Sequence, residues 1–143
     1  GMKEETIELL LHPRHSTSSS FLGTTKKCES LYPLTKEQVP IMVRATSLDR
    51  WFRGLERQLK KEIMVKIDVQ GYEDRVIRGG SDIMSQAKAC ILEMNLDQLY
   101  RKQANFCDLV LLLRDHGYSY AGNSRQVYAT DGHVVYIDAI FVR

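Results

Sequence analysis

The sequence predicts an α/β fold: a mixed sheet with a C-terminal antiparallel hairpin. Three observations carry this. Residues 63–69 and 89–94 are short apolar runs of strand length on either side of a helical segment. That spacing suits a strand–helix–strand unit, whose strands lie parallel with a right-handed crossover. Phe106, Leu109, Val110, Leu112 and Leu113 recur at helical spacing behind Asn105, a good helix cap, and Gly117 ends the run. Asp131-Gly132 separates residues 125–130 from 133–137 and is a strong hairpin-turn signal.

The other elements follow in order. Residues 6–11 (Thr-Ile-Glu-Leu-Leu-Leu) read as a short strand ended by His12-Pro13. Residues 14–38 are polar, with hydroxyls crowded at Ser16 to Ser20, and read as a long loop. Residues 39–45 form a second short strand. Thr46-Ser47-Leu48-Asp49 has the helix-start pattern of a hydroxyl followed three residues later by an acid. Leu48, Trp51, Phe52, Leu55 and Leu59 then give an apolar stripe, with Trp51 and Phe52 expected in the core. Residues 73–78 form a helix stopped by Gly79-Gly80, and residues 81–86 add a turn. Residues 118–121 supply a third strand and 139–142 close the sheet. The chain shows no internal repeat and no domain boundary.

With 143 residues the chain is one modest domain, long enough to bury a core unaided. A formal net charge of +2, with basic and acidic residues interspersed, does not indicate nucleic acid or an anionic membrane as partner. No stretch approaches the roughly 18 apolar residues of a membrane span, and the N-terminus shows no signal-peptide pattern. Gly1-Met2 reads as a cleavage scar ahead of an initiator methionine, so Met2 is the expected encoded start. Cys28, Cys90 and Cys107 are odd in number and lie outside any C-x-x-C or Cys/His cluster. Reduced thiols and a cytoplasmic setting are expected.

The chemistry is expected at the end of the strand over 63–69. Ligands of open α/β sheets sit beyond the carboxyl ends of the strands, and Asp68 stands there, before a turn at Gly71. A carboxylate at that edge takes a proton or holds a polar group; the alternative is a helix cap or a partner for Lys66. Glu93 and Asn95 end the neighbouring strand and share the edge. Glu73 lies in the first helical turn, as a substrate contact or as a charge favouring the helix N-terminus. His12 and His15 line the early loop as acceptor-pocket candidates. The acids are too few for a divalent cation, and no metal is expected.

These residues also carry a resemblance. Lys66-Ile67-Asp68-Val69-Gln70-Gly71-Tyr72-Glu73, followed by Val76-Ile77-Arg78-Gly79-Gly80, resembles the central motif of FkbM-type methyltransferases. Thr46-Ser47-Leu48-Asp49 resembles the segment before it and Leu92-Glu93 the strand after it. Tyr100, Leu113, Gly117-Tyr118, the final Asp138-Ala139-Ile140-Phe141-Val142, and the early strand with its serine run fall in matching order.

The resemblance implies a partial Rossmann-like class I methyltransferase fold. It also implies S-adenosylmethionine as cofactor and a hydroxyl of a sugar, lipid or polyketide-type acceptor as substrate. It places Asp68 near the methionine end of the cofactor and the acceptor. From their positions, Asp68 and Glu93 are the catalytic candidates, Gly71 lets the backbone bend beneath the cofactor, and Glu73, Asn95, His12 and His15 are the acceptor-side candidates. The sequence holds no G-x-G-x-x-G, and Gly23 stands alone among polar residues. The chain is therefore expected to be the family's carboxyl-terminal portion without the glycine-rich cofactor cradle. It is further expected to self-associate or to pair with a complementing chain.

Overall fold

A computed structural model describes residues 4–55 and 62–143. Leu59 of the expected apolar stripe lies outside the described residues. The chain begins with a two-stranded antiparallel ribbon. Strand β1 (Glu5–Leu11) pairs with β2 (Val39–Ala45), from Glu5 opposite Ala45 to Leu11 opposite Val39.

The segment between these strands is more ordered than the loop expected over residues 14–38. It holds a 3-10 turn (Ser16–Ser18), helix α1 (Lys26–Leu31) and a second 3-10 turn (Pro33–Thr35). Helix α1 carries no apolar stripe, and Cys28 alone in it is buried. Thr25 starts it, its hydroxyl accepting from the Cys28 N–H at 3.2 Å. Backbone bonds dock the segment: Thr25 N–H donates to Leu99 O at 2.9 Å and Arg101 N–H to Gly23 O at 2.8 Å. A six-residue helix held this way is set by tertiary contacts rather than by local periodicity.

Helix α2 (Leu48–Arg53) is capped by Ser47, which accepts from Arg50 N–H at 3.1 Å. The expected capping box is thus displaced by one residue, and its acid acts elsewhere. Asp49 is buried and accepts from the N–H groups of Asp82 and Ile83, both at 3.0 Å. It caps the helix that opens at Ser81. Asp49→Ala would strand those two N–H groups and is expected to cost about 2 kcal/mol in urea unfolding. Trp51 corrects a core assignment: 54% of it is exposed, and Phe52 is half-buried. A six-residue helix lying on the surface buries only part of its apolar face.

Strand β3 (Met64–Ile67) leads into α3 (Glu73–Gly79), α4 (Ser81–Gln86) and β4 (Ala89–Asn95). β3 and β4 run parallel, from Met64 beside Ala89 to Ile67 beside Leu92, as the strand–helix–strand spacing requires. Helix α5 (Phe106–Asp115) follows, capped by Asn105, whose side-chain oxygen accepts from Asp108 N–H at 2.9 Å. Strands β5 (Ser119–Tyr128) and β6 (Val134–Val142) form the terminal hairpin. The sheet order is β3-β4-β6-β5, with β6 antiparallel to both neighbours.

The hairpin strands are longer than expected. The two segments expected over 118–121 and 125–130 merge into one strand, β5, whose pairing slips on either side of Gly122-Asn123 and again between Val127 and Tyr128. Ala139 to Val142 continues β6 through Asp138 rather than forming a separate strand.

The main core lies between the sheet and its helices. Ile67, Cys90, Leu92 and Met94 from the parallel pair meet Ile77 of α3 and Leu113 of α5, all 2% exposed or less. A smaller cluster of Cys28, Leu99, Tyr100 and Val135 packs under α1. This second cluster brings the N-terminal segment over the carboxyl edge of the parallel pair.

Candidate functional site

The chain leaves β3 through a tight turn. Gln70 and Gly71 adopt left-handed backbone, with φ of 56° and 92°. Glu73 holds the turn from beneath. Its buried carboxylate accepts from Gly71 N–H at 3.0 Å and, more weakly, from Val69 N–H at 3.4 Å. Burial pushes the Glu73 carboxyl up, and these backbone bonds partly offset that. Glu73 therefore shapes the turn and does not line the cleft above it. Gly71 also lies beneath: it is buried against Tyr100, and its N–H is already spent on Glu73.

Beyond the turn lies a cleft of about 230 Å³. Asp68, Gln70 and Glu93 form its floor at the carboxyl edge of β3 and β4. His15 and Ser18 come from the serine loop, Tyr32 from beyond α1, Tyr100 from beyond β4, and Arg125 and Tyr136 from the hairpin. The structure thus brings Asp68, Glu93 and His15 together. His15 Nδ1 is bonded to the Ser18 hydroxyl at 2.8 Å. His12 is placed differently. It is fully buried, its Nδ1 lies 2.9 Å from Glu37 O, and it does not line the cleft. Asn95 is also buried and borders a separate pocket of about 320 Å³ with Gln98, Asn105 and Asp108.

The two acids are linked by a residue the sequence reading left aside. Gln70 Nε2 donates to Asp68 Oδ1 at 2.8 Å and to Glu93 Oε1 at 2.9 Å. Its Oε1 accepts from the Tyr100 hydroxyl at 2.7 Å. Lys66 Nζ pairs with Asp68 Oδ2 at 2.8 Å. Asp68 is thus exposed and offset by a cation, while Glu93 is half-buried beside other acids. Burial, then the Asp68 charge, push the Glu93 carboxyl from the ordinary 4.5 up to about 7, with the Gln70 bond acting in the opposite direction. One signal for Gln70 was available in the sequence: it stands two residues past Asp68, within the same turn. Nothing local pointed to Tyr32, Arg125 or Tyr136.

Chemically, the floor offers a carboxyl raised to about 7 by burial beside a second one paired with a lysine. That arrangement suits removing a proton from a hydroxyl. Among the described residues no cluster of three or more His, Cys, Asp or Glu is placed to hold a metal ion. None of the described helices is long and apolar enough to cross a membrane. For S-adenosylmethionine the fit is partial. The acids suit a neighbouring sulfonium cation, but the sequence contains no glycine-rich turn for the nucleotide, and Gly71 has no free N–H to offer.

A mixed α/β sheet with a polar cleft beyond its parallel carboxyl edge defines a class of α/β proteins whose sites commonly lie at that edge. Within that class the family is shown: residues 1–120 match the model of the methyltransferase FkbM domain, and the chain belongs to that methyltransferase family. The family implies use of S-adenosylmethionine in general. Comparison with curated proteins and with solved structures gave no match.

Proposed function

We propose that this chain is the acceptor-side portion of an S-adenosylmethionine-dependent O-methyltransferase domain of partial Rossmann-like, class I type. Its acceptor is a hydroxyl of a sugar, lipid or polyketide-type molecule, and its setting is the cytoplasm. One observation carries the reading: two carboxylates, joined by a single carboxamide, face a small cleft at the carboxyl edge of a parallel strand pair. When bound, S-adenosylmethionine supplies an electrophilic methyl group on sulfur.

This chain's own residues act on the acceptor. Glu93 takes the hydroxyl proton as the oxygen becomes nucleophilic. Asp68, neutralised by Lys66, holds Gln70 in place and sets the local field. His15 and the tyrosines orient the rest of the acceptor. The base is competent above about pH 7, so the rate is expected to rise through that pH.

The test is transfer of labelled methyl from S-adenosylmethionine to a panel of hydroxylated acceptors, at millimolar cofactor. Glu93→Gln is expected to lower transfer by about a hundredfold or more. Undiminished transfer by that variant would remove Glu93 from the mechanism. A calorimetric titration addresses the cradle: cofactor binding no tighter than about 1 mM is expected. Micromolar binding would show that these residues furnish a cradle after all.

A second reading is favoured by β3. Among the described residues β3 pairs on one side alone, with β4, and Met64 on it is 63% exposed. A bare edge of this kind recruits another strand. In that reading the chain is a non-catalytic half-domain that self-associates or pairs with a complementing chain. Light scattering showing a stable monomer would count against it.

A further inference from the structure

We propose that Gln70 is a positioning residue, braced by Tyr100, that aims both carboxylates and, among the described residues, leaves Glu93 Oε2 as the oxygen of the pair turned to the acceptor. The proposal rests on the reading of Glu93 as base and adds what makes that oxygen available.

A primary carboxamide has two N–H donors, and both are used here, one on each acid. Its oxygen accepts from the Tyr100 hydroxyl. Turning the amide over would set its oxygen against two carboxylates and lose the bond from the Tyr100 hydroxyl. The two carboxylates therefore fix the orientation, and the Tyr100 bond reinforces it. Tyr100 is itself held: it is 1% exposed, its N–H donates to Gln103 Oε1 at 2.8 Å, and its hydroxyl also lies 3.1 Å from Ser18 O.

The Gln70 backbone is pinned as firmly. The Ser20 hydroxyl donates to Gln70 O at 2.7 Å and accepts from Leu22 N–H at 3.0 Å. A non-glycine residue at φ 56° is strained by about 1–3 kcal/mol, and such strain persists where the surroundings over-determine it. Here the strain delivers one amide to two acids. With Asp68 Oδ1 on Gln70, Asp68 Oδ2 on Lys66 and Glu93 Oε1 on Gln70, the remaining acid oxygen of the pair is Glu93 Oε2.

The charged groups acting on Glu93 come from every neighbouring element. Asp68 and Lys66 come from β3 and its turn, Glu73 from α3, and Asp138 from β6 opposite it in register. Arg125 of β5 stands opposite Asp138. Tyr32, Tyr100 and Tyr136 face it as neutral phenols. Among these neighbours Gln70 donates a hydrogen bond to the carboxylate, so its loss removes a stabilisation of the charged form.

The experiment follows the Glu93 carboxyl carbon by NMR titration in the full chain. Gln70→Leu is expected to raise the Glu93 midpoint by about one pH unit, because a bond to the charged form is removed. Tyr100→Phe should shift it in the same direction by less, since the amide survives but is released. An unmoved midpoint in a folded Gln70→Leu protein would overturn the proposal. If that variant fails to fold, an unmoved midpoint in Tyr100→Phe does so. The readout needs no methyl transfer, so the two ideas fail separately. A midpoint that moves while the transfer rate ignores it retains the clamp and removes Glu93 as base.

Discussion

Replacing Glu93 by glutamine is expected to stabilise the protein above neutral pH by about 2 kcal/mol while removing its proposed base. Burial raises the Glu93 carboxyl to about 7. A carboxyl raised in the folded state contributes stability that is fully present below its ordinary value of 4.5. That contribution is lost as pH climbs through about 7. The full difference corresponds to about 3 kcal/mol, and water in the open cleft brings it nearer to 2 kcal/mol.

Glutamine keeps the shape and still accepts from Gln70, but never ionises. Urea unfolding at pH 5 and pH 8 measures the effect. The native chain should lose stability between those values, and Glu93→Gln should lose much less. A small dependence will persist in the variant, because Glu73 is shifted in the same direction. Equal pH dependence in both proteins would mean that Glu93 is solvated like any surface acid.

The second large effect is expected at Gly71. A Cβ there would sit 2.8 Å from Tyr100 Cβ, on a backbone with φ of 92°. Neither partner can yield easily: the turn is bonded to Glu73, and Tyr100 is buried. Gly71→Ala is expected to cost about 3 kcal/mol or more, summing backbone strain with overpacking. Gly132→Ala is the matched control. Its φ is 90°, but nothing lies within 4 Å of an added Cβ, so about 1 kcal/mol is expected from the backbone alone. Thermal unfolding of the two variants separates the close approach from the conformation. Similar losses in both would remove Tyr100 from the account.

Gly71→Ala should also loosen the site, because displacing Tyr100 frees the Gln70 amide. The same change therefore tests stability and positioning together.

Elements whose signal is local were legible in the sequence. Helix α5 declares itself by its stripe and by Asn105, the hairpin by Asp131-Gly132, and the parallel pair by two apolar runs around a helical spacer. Helix α1 does not, because Thr25 and docking against Leu99 define it and no periodic face does. Asp49 has the correct residue type for a capping box, yet its carboxylate reaches a different helix. His12 and His15 are indistinguishable as loop histidines. The fold separates them by turning one onto Glu37 O and leaving the other at the cleft. The acids of the candidate site were legible as strand-end carboxylates. Gln70 was legible only by its place two residues past Asp68, since its role needs Tyr100, thirty residues later, in place.

The cleft's ties span long stretches of chain. Ser20 reaches Gln70 across 50 residues, Thr25 reaches Gln98 across 73, and Tyr100 reaches Ser18 across 82. Contacts of such separation are entropically expensive to close early and slow folding. The acid turn after β3 is local and forms with its helix, but its lock arrives only once the serine loop and Tyr100 have docked. Anything that binds the finished cleft should accordingly leave the refolding rate nearly unchanged and act by slowing unfolding. A protease digest timed during refolding would then find the serine loop among the last segments to become protected.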